Sequence, residues 1–425
     1  MAENRGLRDE ASEARRRGVK NRVVVVGGGI AGVATVAALR SGGYVGEIVL
    51  VEKAEFPYDR PPLSKEYLAG SRDLKAVALQ QPEWYDDQRI DLVGDSVAVA
   101  VRPALGEVEL ADGRVVTADK IVLATGGRAV RPQIPGGDSP RVHVLREAED
   151  ADALRQLLVP GARLLVVGAG LIGAEAASTA RELGCEVVLV DPLDPPIAAA
   201  VGRDVAAWLQ SLHPAHGVET LVTTLESLQE TPTGVAAQLT GEADSREFDI
   251  VLLGVGMRPD TELAHAAGLV TDRGVIVDER QVTSHPDVLA VGDCARLRDH
   301  RRTEHWEAAQ HDGQRAAATI LGLDPPAPTT PWFWTDRYHL HVEGVGEMRD
   351  PDATTRVVVR GTVGEPPFSV FTLRREGEGH RVVGAVAVDD SNAVRAARRM
   401  IDRGIAVDPQ HLADPGTDLR KLLRG

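Results

Sequence analysis

Short β-branched runs closed by glycine clusters dominate the hydrophobic pattern of the chain. Val23–Val26 is an uninterrupted apolar run that stops at Gly27-Gly28-Gly29. Ile30–Arg40 then carries alanines and aliphatics at helical spacing, and Ile48–Val51 is a second apolar run ending at Glu52. Apolar runs of this length, with no alternation, read as strands covered on both faces, so strand–turn–helix–strand predicts a parallel, doubly wound sheet. The pattern returns at Leu164–Val167, Gly168-Ala169-Gly170, a helix to Leu183, and Val187–Val190 ending at Asp191.

Between and after these units the periodicity changes. Residues 92–126 alternate as strands, including Val97–Val101, Val108–Leu110 and Ile121–Ala124, and residues 218–256 look similar. Asp324-Pro325-Pro326-Ala327-Pro328 reads as a linker. Residues 331–425 form a third block of alternating strands closed by a helix near Ala393–Asp402. The expected fold is α/β: two Rossmann-like dinucleotide-binding domains (glutathione-reductase-like) plus an α+β C-terminal domain. The expected boundaries are a disordered extension at 1–20, a flavin-type domain in two parts (21–128 and 257–328), a nicotinamide-type domain at 129–256, and a C-terminal domain at 329–425.

Composition narrows the partners. The chain has 425 residues and a formal net charge of −15, with pI about 5.3, which argues against nucleic acid because phosphate recognition needs a basic field. Only Cys185 and Cys294 are present, so no disulfide framework exists and a reducing, cytoplasmic setting is expected. The apolar runs are far shorter than a membrane span, and Arg15-Arg16-Arg17 is not followed by the apolar stretch of a secretory signal.

Each glycine cluster carries chemistry. In Gly27-x-Gly29-x-x-Gly32 the glycines allow a tight turn, close approach of a pyrophosphate to backbone N–H groups and tight helix–strand packing. Glu52, at the next strand end, suits the ribose hydroxyls of an adenosine. Gly168-x-Gly170-x-x-Gly173 with Asp191 repeats the arrangement. Two units imply two dinucleotides. Pro192, Leu193 and Asp194 follow Asp191, and no arginine comes before Arg203. A 2′-phosphate would meet negative charge there, so NADH is expected over NADPH.

Six further segments stand in order: Arg60-Pro61-Pro62-Leu63-Ser64-Lys65, Ala124-Thr125-Gly126-Gly127-Arg128, Ile172-Gly173-Ala174-Glu175, Gly254-Val255-Gly256-Met257-Arg258-Pro259, Ala290-Val291-Gly292-Asp293 and Pro331-Trp332-Phe333-Trp334-Thr335-Asp336. With Leu145-Arg146, they make the chain resemble the FAD-dependent ferredoxin reductases of the putidaredoxin reductase and aromatic-ring dioxygenase type, over residues 22 to about 420. The resemblance implies FAD and NADH as cofactors and a [2Fe–2S] ferredoxin as partner. It implies cofactor contacts at Gly27, Gly29, Ile30, Ala31, Gly32, Glu52, Lys53, Arg60, Lys65, Val97, Ala124, Thr125, Gly126, Arg146, Asp293 and Trp306. On the nicotinamide side it implies Gly168, Gly170, Leu171, Ile172, Gly173, Glu175, Asp191 and Gly256.

The resemblance also implies that Lys65 and Glu175 form an ion pair beside the flavin and that Trp334 lies against the reacting rings. A lysine there would stabilise negative charge on the reduced flavin, and its burial would make the carboxylate necessary. Asp293 is expected to accept from a flavin side-chain hydroxyl, with Cys294-Ala295 starting a helix toward the pyrophosphate. Arg337 departs from the family's glutamine, and Pro195–Ala200 replaces an arginine-bearing run. Residues 53–75 hold no cysteine, which removes dithiol and sulfenate chemistry and leaves Cys185 and Cys294 structural. No metal site is expected, although His339-x-His341 could put two imidazoles on one strand face. The run Arg395, Arg398, Arg399 and Arg403 reads as a solvated helix face. Arg337 and Arg315 are candidates for a basic rim that steers an acidic ferredoxin. A flavin NADH oxidase and a redox-gated interaction protein resembling apoptosis-inducing factor are the rival readings.

Overall fold

The computed structural model describes residues 21–424 except 301, 349–351, 353 and 378. The extension expected at 1–20 lies outside the described residues. Contacts divide the chain into two compact units, the first running through Arg60, then Leu74–Arg128 and Arg258–Pro328, the second comprising Pro61–Asp73, Ala129–Met257 and Thr329–Gly425.

The first unit is built on a five-stranded parallel sheet in the order Val288–Ala290, Lys120–Leu123, Arg22–Val26, Glu47–Val51, Ile90–Val93. Arg22–Val26 lies at its centre, and Val23, Val24, Val25 and Val26 are all buried. Both faces are covered, which is why the run shows no alternation. One face packs on the helices Ile30–Ser41 and Trp306–Ile320, the other on Val101, Val108, Leu269 and Val275. These two helices approach closely enough that a Cβ at Gly313 would lie 2.4 Å from the Ala31 carbonyl oxygen.

The second unit repeats the design. Its parallel sheet runs Glu219–Val222, Glu186–Asp191, Arg163–Val167, Ile250–Leu253, Val142–His143, and the antiparallel strands Leu225–Glu230, Val235–Leu239 and Arg246–Phe248 pack on it. The C-terminal block is an antiparallel sheet in the order Trp332–Arg337, Leu340–Gly346, Gly379–Val388, Glu365–Glu376, Thr355–Thr362, with Ala406–Val407 paired to Gly379–Val388. Helix Ser391–Arg403 covers one face through Val394, Ala397 and Met400, leaving Arg395, Arg399 and Arg403 exposed as expected, whereas Arg398 is half-buried and lies 4.0 Å from Asp402. The other face packs on Val201, Val205 and Leu209 of the nicotinamide-type domain.

Three expectations change. Gly292–Cys294 is a single 3₁₀ turn followed by the strand Ala295–Leu297, so no helix starts at Cys294; the next helix is Trp306–Ile320. His339 and His341 do not share a strand face, because Tyr338 and His339 form the hairpin turn with φ of 52° and 62° while His341 lies in the returning strand. Arg337 is only 3% exposed and therefore contributes to no docking rim. Cys185 and Cys294 are both buried and free, and burial pushes both thiols up. Among the described residues no helix is long and apolar enough to cross a membrane, and no cluster of metal-ligating side chains forms.

Gly313→Ala tests the helix contact in the first unit. A methyl group there meets backbone that cannot yield, and overpacking of this kind costs about 1–3 kcal/mol, more than the gain of roughly 1 kcal/mol in helix propensity. The urea midpoint of the variant should fall; an unchanged or raised midpoint would contradict this packing.

Candidate functional site

The two glycine turns are nearly superimposable in their physical logic. Gly27 has φ +106°, and a Cβ there would lie 2.3 Å from the Ala124 carbonyl oxygen; a Cβ at Gly32 would lie 1.9 Å from the Gly27 oxygen. In the second unit Gly168 has φ +100°, and Gly173 stands 1.9 Å from the Gly168 oxygen by the same measure. Only glycine fits these positions, and the strand–turn–helix crossing depends on them.

Each turn is locked by its acid. The Gly28 N–H donates to Glu52 Oε2, and the Ala54 N–H donates to Oε1 at 3.0 Å. Ala169 and Leu193 N–H groups donate to the two oxygens of Asp191 at 2.7 and 2.8 Å. Each carboxylate oxygen keeps a further lone pair for a ribose hydroxyl. A Cβ at Gly170 would meet nothing within 4 Å, and one at Gly29 would meet only Arg60 Nη1. Both helix starts thus leave backbone open to a pyrophosphate, and the residues present fit a dinucleotide at each turn.

The remaining first-unit candidates differ in their surroundings. Ala31 faces Gly292, beside Asp293; Ala124 lines Gly27; the Thr125 hydroxyl donates to the Asp260 carbonyl at 2.7 Å; and Trp306 Nε1 donates to Asp59 Oδ1 at 2.8 Å. Lys53 and Val97 are exposed. In the second unit Leu171 and Ile172 open the helix Leu171–Glu182, and Gly256, φ +102°, faces open space. The Arg146 N–H donates to Asp150 Oδ2 at 3.0 Å.

The densest chemistry lies in the second unit, where Pro61–Asp73 meets the Leu171–Glu182 helix and the Trp332–Arg337 strand. Glu175 is 3% exposed and carries four polar contacts. Ser64 Oγ donates to its Oε2 at 2.5 Å, Thr335 Oγ1 and the Asp336 N–H donate to Oε1 at 2.7 and 3.1 Å, and Lys65 Nζ stands 3.4 Å from Oε1. The expected Lys65–Glu175 proximity is therefore present, but the shorter contact of Lys65 is to Asp336 Oδ2 at 2.6 Å. Burial opposes the charge on Lys65, yet the two carboxylates outweigh it and hold the ammonium above the usual lysine range. Lys65 Nζ also lies 5.7 Å from the centre of the Trp334 ring, which stacks on Trp332.

Asp336 in turn accepts from His341 Nδ1 at 2.5 Å, and His341 Nε2 lies 3.7 Å from Glu343. Bonds to these two carboxylates raise the imidazole to about 10. Ser64, Thr335, Asp336 and His341 were not legible as a site. Ser64, Thr335 and Asp336 sit inside recognisable segments, but nothing in those segments shows which carboxylate they would reach.

The residues match the pyridine nucleotide-disulphide oxidoreductase family model over 21–313 and the reductase C-terminal model over 332–423. The chain belongs to the pyridine nucleotide-disulphide oxidoreductase family. Within it, the chain is 36% identical to the benzene 1,2-dioxygenase system ferredoxin–NAD(+) reductase subunit of Pseudomonas putida, covering 95% of this chain and 98% of that one. It is 35% identical to putidaredoxin reductase of the same organism, over 94% and 96%. The solved covalent putidaredoxin reductase–putidaredoxin complex superposes with a TM-score of 0.86 at 33% identity, over 95% and 98%.

The raised His341 value sets a pH test. Its folded-state pKa lies above the usual 6.5, so the stabilisation is fully present below about 6.5 and is lost as pH rises through about 10. The imidazole resonance of His341, identified by its loss in His341→Gln, should titrate near pH 10 and return toward 6.5 in Asp336→Asn. Titration near 6.5 in the unmodified protein would contradict the clamp.

Proposed function

We propose that this chain is an NADH-dependent FAD reductase that passes electrons one at a time to a [2Fe–2S] ferredoxin serving a cytochrome monooxygenase or a ring-hydroxylating oxygenase. The observation that carries the reading is end-to-end likeness to ferredoxin reductases, in a chain that keeps both acid-locked glycine turns and a buried lysine–carboxylate cluster. Two buried, unpaired cysteines suit a reducing, cytoplasmic setting. The same cysteines lie outside residues 53–75, which fits electron transfer without a redox-active dithiol.

Gly27, Gly29, Gly32 and Glu52 would hold FAD at the first turn, with Asp293 and Trp306 from the returning part of that unit. Gly168, Gly170, Gly173 and Asp191 would hold NADH at the second. FAD supplies, when bound, the ability to accept a hydride and release single electrons. The chain's own contribution is positional and electrostatic. Lys65, fixed as an ammonium by Glu175 and Asp336, stabilises negative charge near it, and Trp334 shields that charge from water. Asp191 and Asp194 weigh against a 2′-phosphate. No side chain has to move a proton in the hydride step.

Anaerobic stopped-flow spectroscopy tests this directly. NADH should bleach the flavin rapidly, and NADPH should give a kcat/KM more than ~tenfold lower, the factor that about 1.4 kcal/mol of repulsion produces. Addition of an oxidised [2Fe–2S] ferredoxin should restore the flavin colour faster than air-saturated buffer does. Faster reoxidation by oxygen would make the protein an oxidase, and equal use of both nicotinamides would remove the role given to Asp191.

A further inference from the structure

The ammonium of Lys65 is not one half of a simple pair: it sits in a chain of four alternating charges. From the interior outward these are Glu175, Lys65, Asp336 and His341, with separations of 3.4, 2.6 and 2.5 Å. Glu175 is buried and Lys65 has a side chain 13% exposed, whereas the side chains of Asp336 and His341 are 35% and 41% exposed. The oxygens of Glu175 are also engaged by Ser64, Thr335 and the Asp336 N–H, so the place of Glu175 is set by neutral donors as well as by Lys65. Asp336 makes the shorter bond and so decides where the ammonium points.

Asp336 would be a poor anchor alone, since a half-exposed carboxylate can rotate into water. His341 removes that freedom by holding the oxygen that Lys65 does not use. Its own backbone N–H is held by the Asp389 carboxylate at 2.9 Å, and its other ring nitrogen faces Glu343. The guanidinium of Arg337, buried next to Asp336 in the same strand, acts on Glu175, and that of Arg395 acts on Glu343.

We infer that Asp336 and His341 balance the charge of the Lys65 ammonium, so that the three side chains together set the reduction potential of the bound flavin. The inference rests on the proposed placement of Lys65 beside that flavin. Positive charge near the reduced flavin favours it and negative charge opposes it. Removing the Asp336 charge should therefore raise the potential, and removing the His341 charge should lower it.

The test is the two-electron midpoint potential of the FAD-loaded full chain at about pH 5.5, below the ordinary imidazole range so that His341 stays charged in Asp336→Asn, measured by spectroelectrochemistry for Lys65→Met, Asp336→Asn, His341→Gln and His341→Lys. Lys65→Met should lower it, Asp336→Asn should raise it, and His341→Gln should lower it. His341→Lys, which restores the cation, should bring it back toward the unmodified value. Each single-charge change is expected to alter the reduced-to-oxidised ratio about tenfold, or ~30 mV for this couple. Mere loss of structure would not give opposite signs at two touching residues or a rescue by lysine. If Lys65→Met lowers the potential while Asp336 and His341 variants leave it unmoved or shift it in one direction, the charge-balancing role is wrong and the Lys65 reading stands. If Lys65→Met leaves it unmoved, the placement of Lys65 fails and this inference with it. Should Asp336→Asn fail to fold, the His341→Gln and His341→Lys pair decides the question.

Discussion

A buried carboxylate needs partners on every side, and Glu175 dictates much of what surrounds it. Leaving a charge of this kind unsatisfied costs several kcal/mol. The second unit answers with a hydroxyl from the Pro61–Asp73 segment, a hydroxyl and a backbone N–H from the Trp332–Arg337 strand, and the Lys65 ammonium. Two stretches distant in sequence are thereby fastened to one turn of the Leu171–Glu182 helix. Thr179, one turn further on, repeats the attachment by donating to the Ser64 carbonyl at 2.8 Å. A polar network this dense fixes geometry, which is what the proposed role beside a flavin would require.

The second constraint is steric and occurs twice. The turns at Gly27 and Gly168 are made by the same device, a left-handed glycine pressed on a neighbouring carbonyl and a later glycine under the helix, with an acid tying the loop down. The acid ties the backbone of the turn, and in the proposed role it would also keep lone pairs for a sugar. That economy explains why Glu52 is buried although it is charged.

The turns were legible because backbone sterics permit so few residue types at these positions, and the flanking valine runs left no second reading of the strands. The Lys65–Glu175 contact followed from resemblance alone, since nothing in local spacing brings residues 65 and 175 together. Asp336 and His341 escaped notice because a hairpin turn at Tyr338-His339 decides which strand positions face one another, and turn placement is weakly encoded there. The same shift of register explains the error over a histidine pair. Arg337 misled for a different reason: arginine is normally a surface residue, and only the packing of the C-terminal sheet reveals it as buried. The helix expected at Cys294 failed because Gly292, with φ +69°, turns the chain into a strand instead.

The electrostatics of this site depend on Lys65 and Glu175 acting as one unit, and a double-mutant cycle measures that. Unfolding free energies of the FAD-loaded chain would be compared for Lys65→Met, Glu175→Gln and the double variant. Residues in one ionic network couple by roughly 0.5–3 kcal/mol, so the double variant should lose clearly less stability than the two single losses added together. Strict additivity would show that the two side chains are neighbours without being partners, and the electrostatic picture of this site would have to be abandoned.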